Sequence, residues 1–211
     1  MKIRVLTILL LALLSCKKTT KKEAEQIQIV IDSTGLKIEK AEKTTKNSKL
    51  ISFLENPIDL QDYKAIKGKS LSSVTNGLNY HYHPNIRDSI FYNYSAFPTD
   101  STWSEMEPVW ITVFKFGDKR HSWDDKTEIL IELSVKGKDK DLKKANIIGL
   151  SKAELESEFG TDYLTLDNRI VYSNKNKVLI LELENSEVKS FNYIKLSTEK
   201  IDADLIRQII K

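Results

Sequence analysis

Apolar positions fall into three regimes along this chain. Residues 5–14 form a mostly apolar run between Met1-Lys2-Ile3-Arg4 and Ser15-Cys16. Residues 17–49 hold no sustained pattern, apart from the alternation of Ile27, Ile29 and Ile31, which fits one short strand. From Leu50 onward the pattern is that of a folded region. Leu50, Ile51, Phe53 and Leu54 line a helical face that stops before Pro57, and Leu60, Tyr63 and Ile66 predict a second short helix. Ser70 reads as a helix N-cap ahead of Val74, and Asn76-Gly77 either ends a helix or turns a hairpin. Strand signals then dominate. Residues 89–97 alternate with many aromatics, and residues 109–116 set Val109, Ile111 and Val113 against Trp110, Phe114 and Phe116. Gly117-Asp118 makes a turn, and residues 128–135 place Ile129, Ile131, Leu133 and Val135 on one face.

The last third has the clearest local grammar. Ser151 and Glu154 are spaced as a capping box, Leu150 and Leu155 as a hydrophobic staple, and Gly160 as a left-handed helix stop. Residues 169–172 follow as a strand. Residues 178–184 and 188–194 form a hairpin over Asn185-Ser186-Glu187. Ile201, Leu205 and Ile209 predict an amphipathic helix over residues 198–210. Short helices with antiparallel strands, without βαβ spacing, give an α+β class: helices packed on an antiparallel sheet, with two tandem helix-plus-sheet units as a further expectation.

The first regime changes the picture of the rest. A basic start, an apolar stretch too short to span a bilayer and a small residue before a cleavage point make a secretory signal. Leu13-Leu14-Ser15-Cys16 resembles the lipobox of bacterial lipoproteins. The resemblance implies cleavage before Cys16 and lipidation of its sulfur. Cys16 is the only cysteine, so the folded part carries no disulfide and no thiol chemistry. The expected organisation is a signal at 1–15, a lipidated cysteine and tether at 16–49, and a globular region at 50–211, divisible at 137/138.

Charge follows the same division. The formal net charge is +3. Losing Lys2 and Arg4 leaves 31 basic against 30 acidic side chains. Residues 17–49 hold nine Lys against five acids, and residues 50–211 hold 22 basic against 25 acidic. The basic excess sits in the tether rather than on a folded face, which argues against nucleic acid and fits either a solvated spacer touching anionic headgroups or a plain soluble linker. Lys17-Lys18 after the cysteine leans towards the outer membrane, facing the periplasm.

Residues 149–196 resemble a second family. Gly149, Leu150, Ser151, Glu154, Leu155, Phe159, Gly160, residues 179–183 and Val188 match the helix-and-strand motif of small outer-membrane-assembly lipoproteins of the SmpA/OmlA type, and the related β-lactamase-inhibitor-protein fold. Asp162 stands where that motif has proline. The matched positions are caps and core, so the resemblance implies a fold more than an activity. A fainter echo sets Gly68, Ser70 and Val74 against Gly149, Ser151 and Leu155, 81 residues apart.

Catalytic and metal motifs weigh less. Gly68-Lys69-Ser70 lacks the upstream glycine of a phosphate loop. His81, His83 and His121 are better read as exposed than as zinc ligands, given Lys119-Arg120 beside His121. Asp124-Asp125 reads as a charged hairpin end, and there is no Gly-x-Ser-x-Gly elbow. No cofactor or metal is expected. Trp103, Trp110 and Trp123 are candidate partner-binding aromatics, since strands expose alternate residues. Asp32-Ser33-Thr34, Asp88-Ser89-Ile90 and Asp100-Ser101-Thr102 fit short O-glycosylation acceptors. The functional expectation is a non-enzymatic envelope lipoprotein that binds an envelope protein or glycan. A protein inhibitor or immunity factor and an envelope hydrolase are the alternatives.

Overall fold

The computed structural model describes residues 47–68, 71–99 and 107–210. They all lie in one compact unit, Lys43–Lys211. Cys16, Trp103, tether residues 16–46 and two of the three glycosylation motifs lie outside the described residues, whereas residues 47–49, expected in the tether, already belong to the first helix and its cap.

Two helices come first. In α1 (Ser48–Glu55), the Asn47 side chain caps the start, and Leu50, Phe53 and Leu54 are buried. In α2 (Leu60–Lys67), Asp59 caps the start and Tyr63 is buried. Gly68 ends α2 at φ 69°, donating its N–H to the Lys64 carbonyl. A meander follows: β1 (Leu71–Thr75), β2 (Ser89–Ala96), β3 (Val109–Phe116) and β4 (Ile129–Val135). A 3-10 helix (Lys140–Ala145) and α3 (Lys152–Phe159) lead into a second meander. This comprises β5 (Leu164–Leu166), β6 (Arg169–Asn174), β7 (Lys177–Glu184) and β8 (Glu187–Lys195). The described chain closes with α4 (Ala203–Ile209).

The two meanders form one eight-stranded antiparallel sheet in the order β1-β2-β3-β4-β8-β7-β6-β5. The fold is therefore α+β, with an open sheet and short helices.

Alternation sorts the strands between two faces. Val109, Ile111 and Val113 of β3, Leu179 and Leu181 of β7, and Phe191 and Tyr193 of β8 point to one side. They pack there against α1, α2, the 3-10 helix and α3. This is the helix face. Among the described residues, the opposite face is covered in two places. Val171, Val178, Ile180 and Ile194 lie under Ile206 of α4. Phe91, Phe114 and Ile131 lie under Tyr80 and Tyr82 of the β1–β2 loop. Strands β6–β8 are thus apolar on both sides, which explains the unbroken run Val178-Leu179-Ile180-Leu181.

The capping box at Ser151 and Glu154 forms as its spacing predicts, and Gly160 takes φ 82°. Asn185 and Ser186 both have positive φ, the two-residue turn that suits the twist of a tight hairpin.

Four expectations change. Val74 lies in strand β1, not a helix, so the echo of Ser151 and Leu155 aligns a strand with a helix. Asn76-Gly77 neither ends a helix nor closes a tight hairpin, because residues 76–88 separate β1 from β2. The final helix starts at Ala203 behind an Asp202 cap, five residues later than the periodicity predicts. Finally, a register shift opposite Thr112/Val113 breaks the alternation of β4. Leu133 and Val135 face the helices while Ile131 turns to the other side. A bulged residue reverses every side chain beyond it.

Gly77 holds the β1–β2 loop onto the sheet. It has φ 74°, and a Cβ there would lie 2.2 Å from the Phe91 ring. Gly77→Ala combines backbone strain with overpacking, and should cost about 3 kcal/mol in urea unfolding.

Candidate functional site

Between the two patches on the open face runs a strip that no helix or loop of the described residues covers. Register places Ser95 (β2), Trp110 (β3), Ser134 (β4) and Asn192 (β8) in one line across four strands. The neighbouring line runs Asn93, Thr112, Glu132 and Ile194. Strand spacing makes each line about 14 Å long. Trp110 is 50% exposed, a large ring lying among small polar side chains. Asn93 is fixed by two donors on its Oδ1: the Tyr80 hydroxyl at 2.7 Å and the Thr112 hydroxyl at 3.0 Å. At the Asn192 end the strip opens into a cavity of about 220 Å³. Arg169, Glu182 and Ser190 line it, with Ile209 and Ile210 forming the wall.

Glu132 sits near the middle of the strip. It is partly buried, and its carboxyl makes no hydrogen bond or ion pair with the described residues. Burial without a partner pushes its pKa up to about 7. Sequence reading passed over Glu132, although a lone carboxylate amid Ile129-Leu130-Ile131 and Leu133 is itself a signal.

The structure separates the remaining sequence-derived candidates. Trp123 is on the helix side: its ring meets Tyr94 edge-on at 5.2 Å, and the Lys64 ammonium lies 4.4 Å from its centroid. Trp110 and Trp123 therefore do not share a surface. His121 Nδ1 and the Tyr92 hydroxyl form a hydrogen bond at 2.9 Å. The backbones of His81 and His83 bond to Ser197. Among the described residues, no group of three or more His, Cys, Asp or Glu side chains is placed to hold a metal. Asp124 is exposed and Asp125 buried, so the two do not form a carboxylate pair in a cleft.

Asp125 instead belongs to a buried charge cluster beneath the β3–β4 loop. Lys64 Nζ is 2.6 Å from Glu128 Oε1. Glu128 also accepts from Gln61 at 2.8 Å and from the Tyr94 hydroxyl at 3.2 Å. Lys115 Nζ, its side chain 1% exposed, lies 3.8 Å from Glu128 and 4.0 Å from Asp125 Oδ2. It donates to the Ser122 carbonyl. Two cations and two carboxylates balance. Burial lowers the Lys115 pKa, and the two carboxylates oppose that only in part. Burial also works against the Asp125 carboxylate. Bonds from the Thr127 N–H and hydroxyl, together with Lys115, outweigh it and keep that pKa low.

A second opening of about 660 Å³ lies between α1, the 3-10 helix and α3, with Phe53, Ile147, Leu150 and Phe159 in its floor. No protein-family model matches the chain, and no curated protein or solved structure is significantly similar to it.

Glu132 yields a pH prediction. Its folded pKa lies above the ordinary carboxylate value, so the folded state holds a proton that the unfolded state has lost between these limits. Stability therefore falls as pH rises from about 4.5 to about 7. Glu132→Gln removes the cost. Allowing for partial exposure, the variant should exceed the parent by about 2 kcal/mol at pH 8 and match it near pH 4, read by chemical denaturation across pH.

Proposed function

We propose that the chain is a lipid-anchored, non-enzymatic binding module of the bacterial cell envelope, with the open strip as its contact surface. One observation carries the reading: the helix face is covered across both meanders, while on the opposite face the described residues leave Trp110 half-exposed and Asn192 exposed, with Glu132 and Ser134 partly exposed beside them. A half-exposed Trp ringed by small polar groups provides an apolar platform with hydrogen-bonding neighbours, the usual make-up of an interface anchor. The anchor itself rests on Leu13-Leu14-Ser15-Cys16. A lipid at Cys16 would confine the domain to a surface and raise its effective concentration for partners there. The outer membrane, facing the periplasm, is the proposed location.

The tandem-unit idea belongs to the same proposal, in altered form. Each meander is preceded by two short helical segments, and the strand order runs inward from both edges. On this basis α2 corresponds to α3: Asp59 and Asp62 stand where Ser151 and Glu154 stand, 92 residues apart rather than 81. The architecture is compatible with the inhibitor-like fold that residues 149–196 resemble. An inhibitor or immunity role would be a special case of the same binding surface.

Affinity capture from membranes tests the proposal, using the lipoprotein and a soluble Cys16→Ser form. Both should enrich one envelope component. Trp110→Ala should weaken its binding by about 2 kcal/mol while leaving the unfolding midpoint unchanged. If neither form enriches a component, the binding-module reading fails.

A further inference from the structure

The cluster beneath the β3–β4 loop contains an unusual set of groups. Lys115, Asp125 and Glu128 side chains are 1%, 1% and 0% exposed. Asp125 is held asymmetrically. Its Oδ1 accepts from the Thr127 backbone N–H at 2.9 Å and the Thr127 hydroxyl at 2.7 Å. Its Oδ2 is buried with no hydrogen-bond partner, and Lys115 Nζ lies 4.0 Å away. Glu128 Oε2 is 3.8 Å from the same nitrogen. The Lys115 ammonium lies 5.1 Å from the Tyr92 ring centroid, and Tyr94 and Trp123 pack nearby.

We propose that Lys115 and Asp125 condense within the folded chain to an amide between Lys115 Nζ and Asp125 Cγ, releasing one water, with Glu128 carrying the protons. The parts match those that acyl transfer to an amine requires. Glu128 relays a proton from the Lys115 ammonium to Asp125 Oδ2, giving a free amine beside a neutral carboxyl. The nitrogen lone pair attacks Cγ, and the carbonyl electron pair moves onto Oδ1. The two Thr127 donors already aimed at Oδ1 stabilise that charge as an oxyanion hole does. Glu128 then removes a proton from nitrogen and delivers it to the Oδ2 hydroxyl. The Cγ–Oδ2 bond breaks, water leaves and the Oδ1 carbonyl re-forms. An ammonium and a carboxylate become one amide and one water, with no oxidant, metal or co-reactant.

Two features set the rate. Nζ must leave the Ser122 carbonyl and move from 4.0 Å off Oδ2 to an attack distance of about 3 Å from Cγ. The Thr127 bonds favour the ionised carboxyl, so the reacting neutral pair is the minor form, which burial in a low dielectric nonetheless favours. The reaction is therefore slow, occurs after folding and traps its product. The bond would close β3 onto its loop across ten residues and remove the unpartnered buried oxygen.

Peptide mapping of the folded full-length chain, after incubation for days at pH 8, tests this. The expected product joins the peptide that reads through Lys115 to Lys119 with the one containing Asp125. Its mass is one water below their sum, and trypsin does not cut after Lys115. Lys115→Arg should restore linear peptides, and Glu128→Gln should slow joining at least tenfold. If the parent chain yields only linear peptides, cleaved after Lys115, the proposal is overturned, whether or not the variants fold. The result is independent of partner capture at the open strip.

Discussion

The sheet depends on one seam. Strands β4 and β8 meet through four residue pairs, Glu132 with Ile194, Leu133 with Tyr193, Ser134 with Asn192 and Val135 with Phe191. Every other pairing joins strands that are consecutive in sequence, so it can form locally. The seam joins segments about sixty residues apart and must meet a larger loop-closure cost. What it gains is visible on the helix face, where Leu133, Val135, Phe191 and Tyr193 are all at most 2% exposed. Its other side carries Glu132, Ser134 and Asn192. The same four pairs therefore hold the core together and build the middle of the exposed strip.

The helices reinforce the seam by crossing it. Helix α1 precedes the first meander yet packs against β6, β7 and α3 of the second. Its Glu55 pairs with Lys177 on β7, and Lys49 pairs with Glu158 on α3. Helix α2 is tied through Lys67 to Asp139 and Asp141, the residues that begin the second half. Neither half is a complete unit with its own helices alone, and a boundary near residue 137 describes the chain better than it describes the packing.

The two faces treat buried charge in opposite ways. On the helix side, Lys64, Lys115, Asp125 and Glu128 neutralise one another in a buried, aromatic-lined space. Such a set is costly to disturb, because removing one member leaves another uncompensated. On the open side Glu132 has no such partner among the described residues, and its carboxyl resists ionisation. Groups that raise the energy of the folded state without a structural return tend to mark surfaces with other duties.

Much of this was legible in the sequence. Residues 109–116 and the capping box at Ser151 read correctly because a two-residue period and a cap are local properties. The β7–β8 turn was found because Asn-Ser sits between apolar runs. The misses have physical causes. Strand β1, with Ser72, Ser73 and Thr75, has little hydrophobic signal, since it is an edge strand whose hydrogen bonds to β2 define it. The β4 bulge has no residue signature, so Ile131 was assigned to the wrong face. Trp110 and Trp123 look like neighbours in sequence, but one belongs to a strand's outer face and the other to a loop folded over the inner face.

The two sheet edges, free among the described residues, carry a consequence for association between copies. An open antiparallel sheet presents unpaired backbone groups at both ends, an invitation to polymerise. Here one end is β5, only three residues long, and the other is β1, with Ser72 and Ser73 exposed. Short or polar ends make poor templates for a second copy. Many such domains can therefore be packed side by side without seeding fibres.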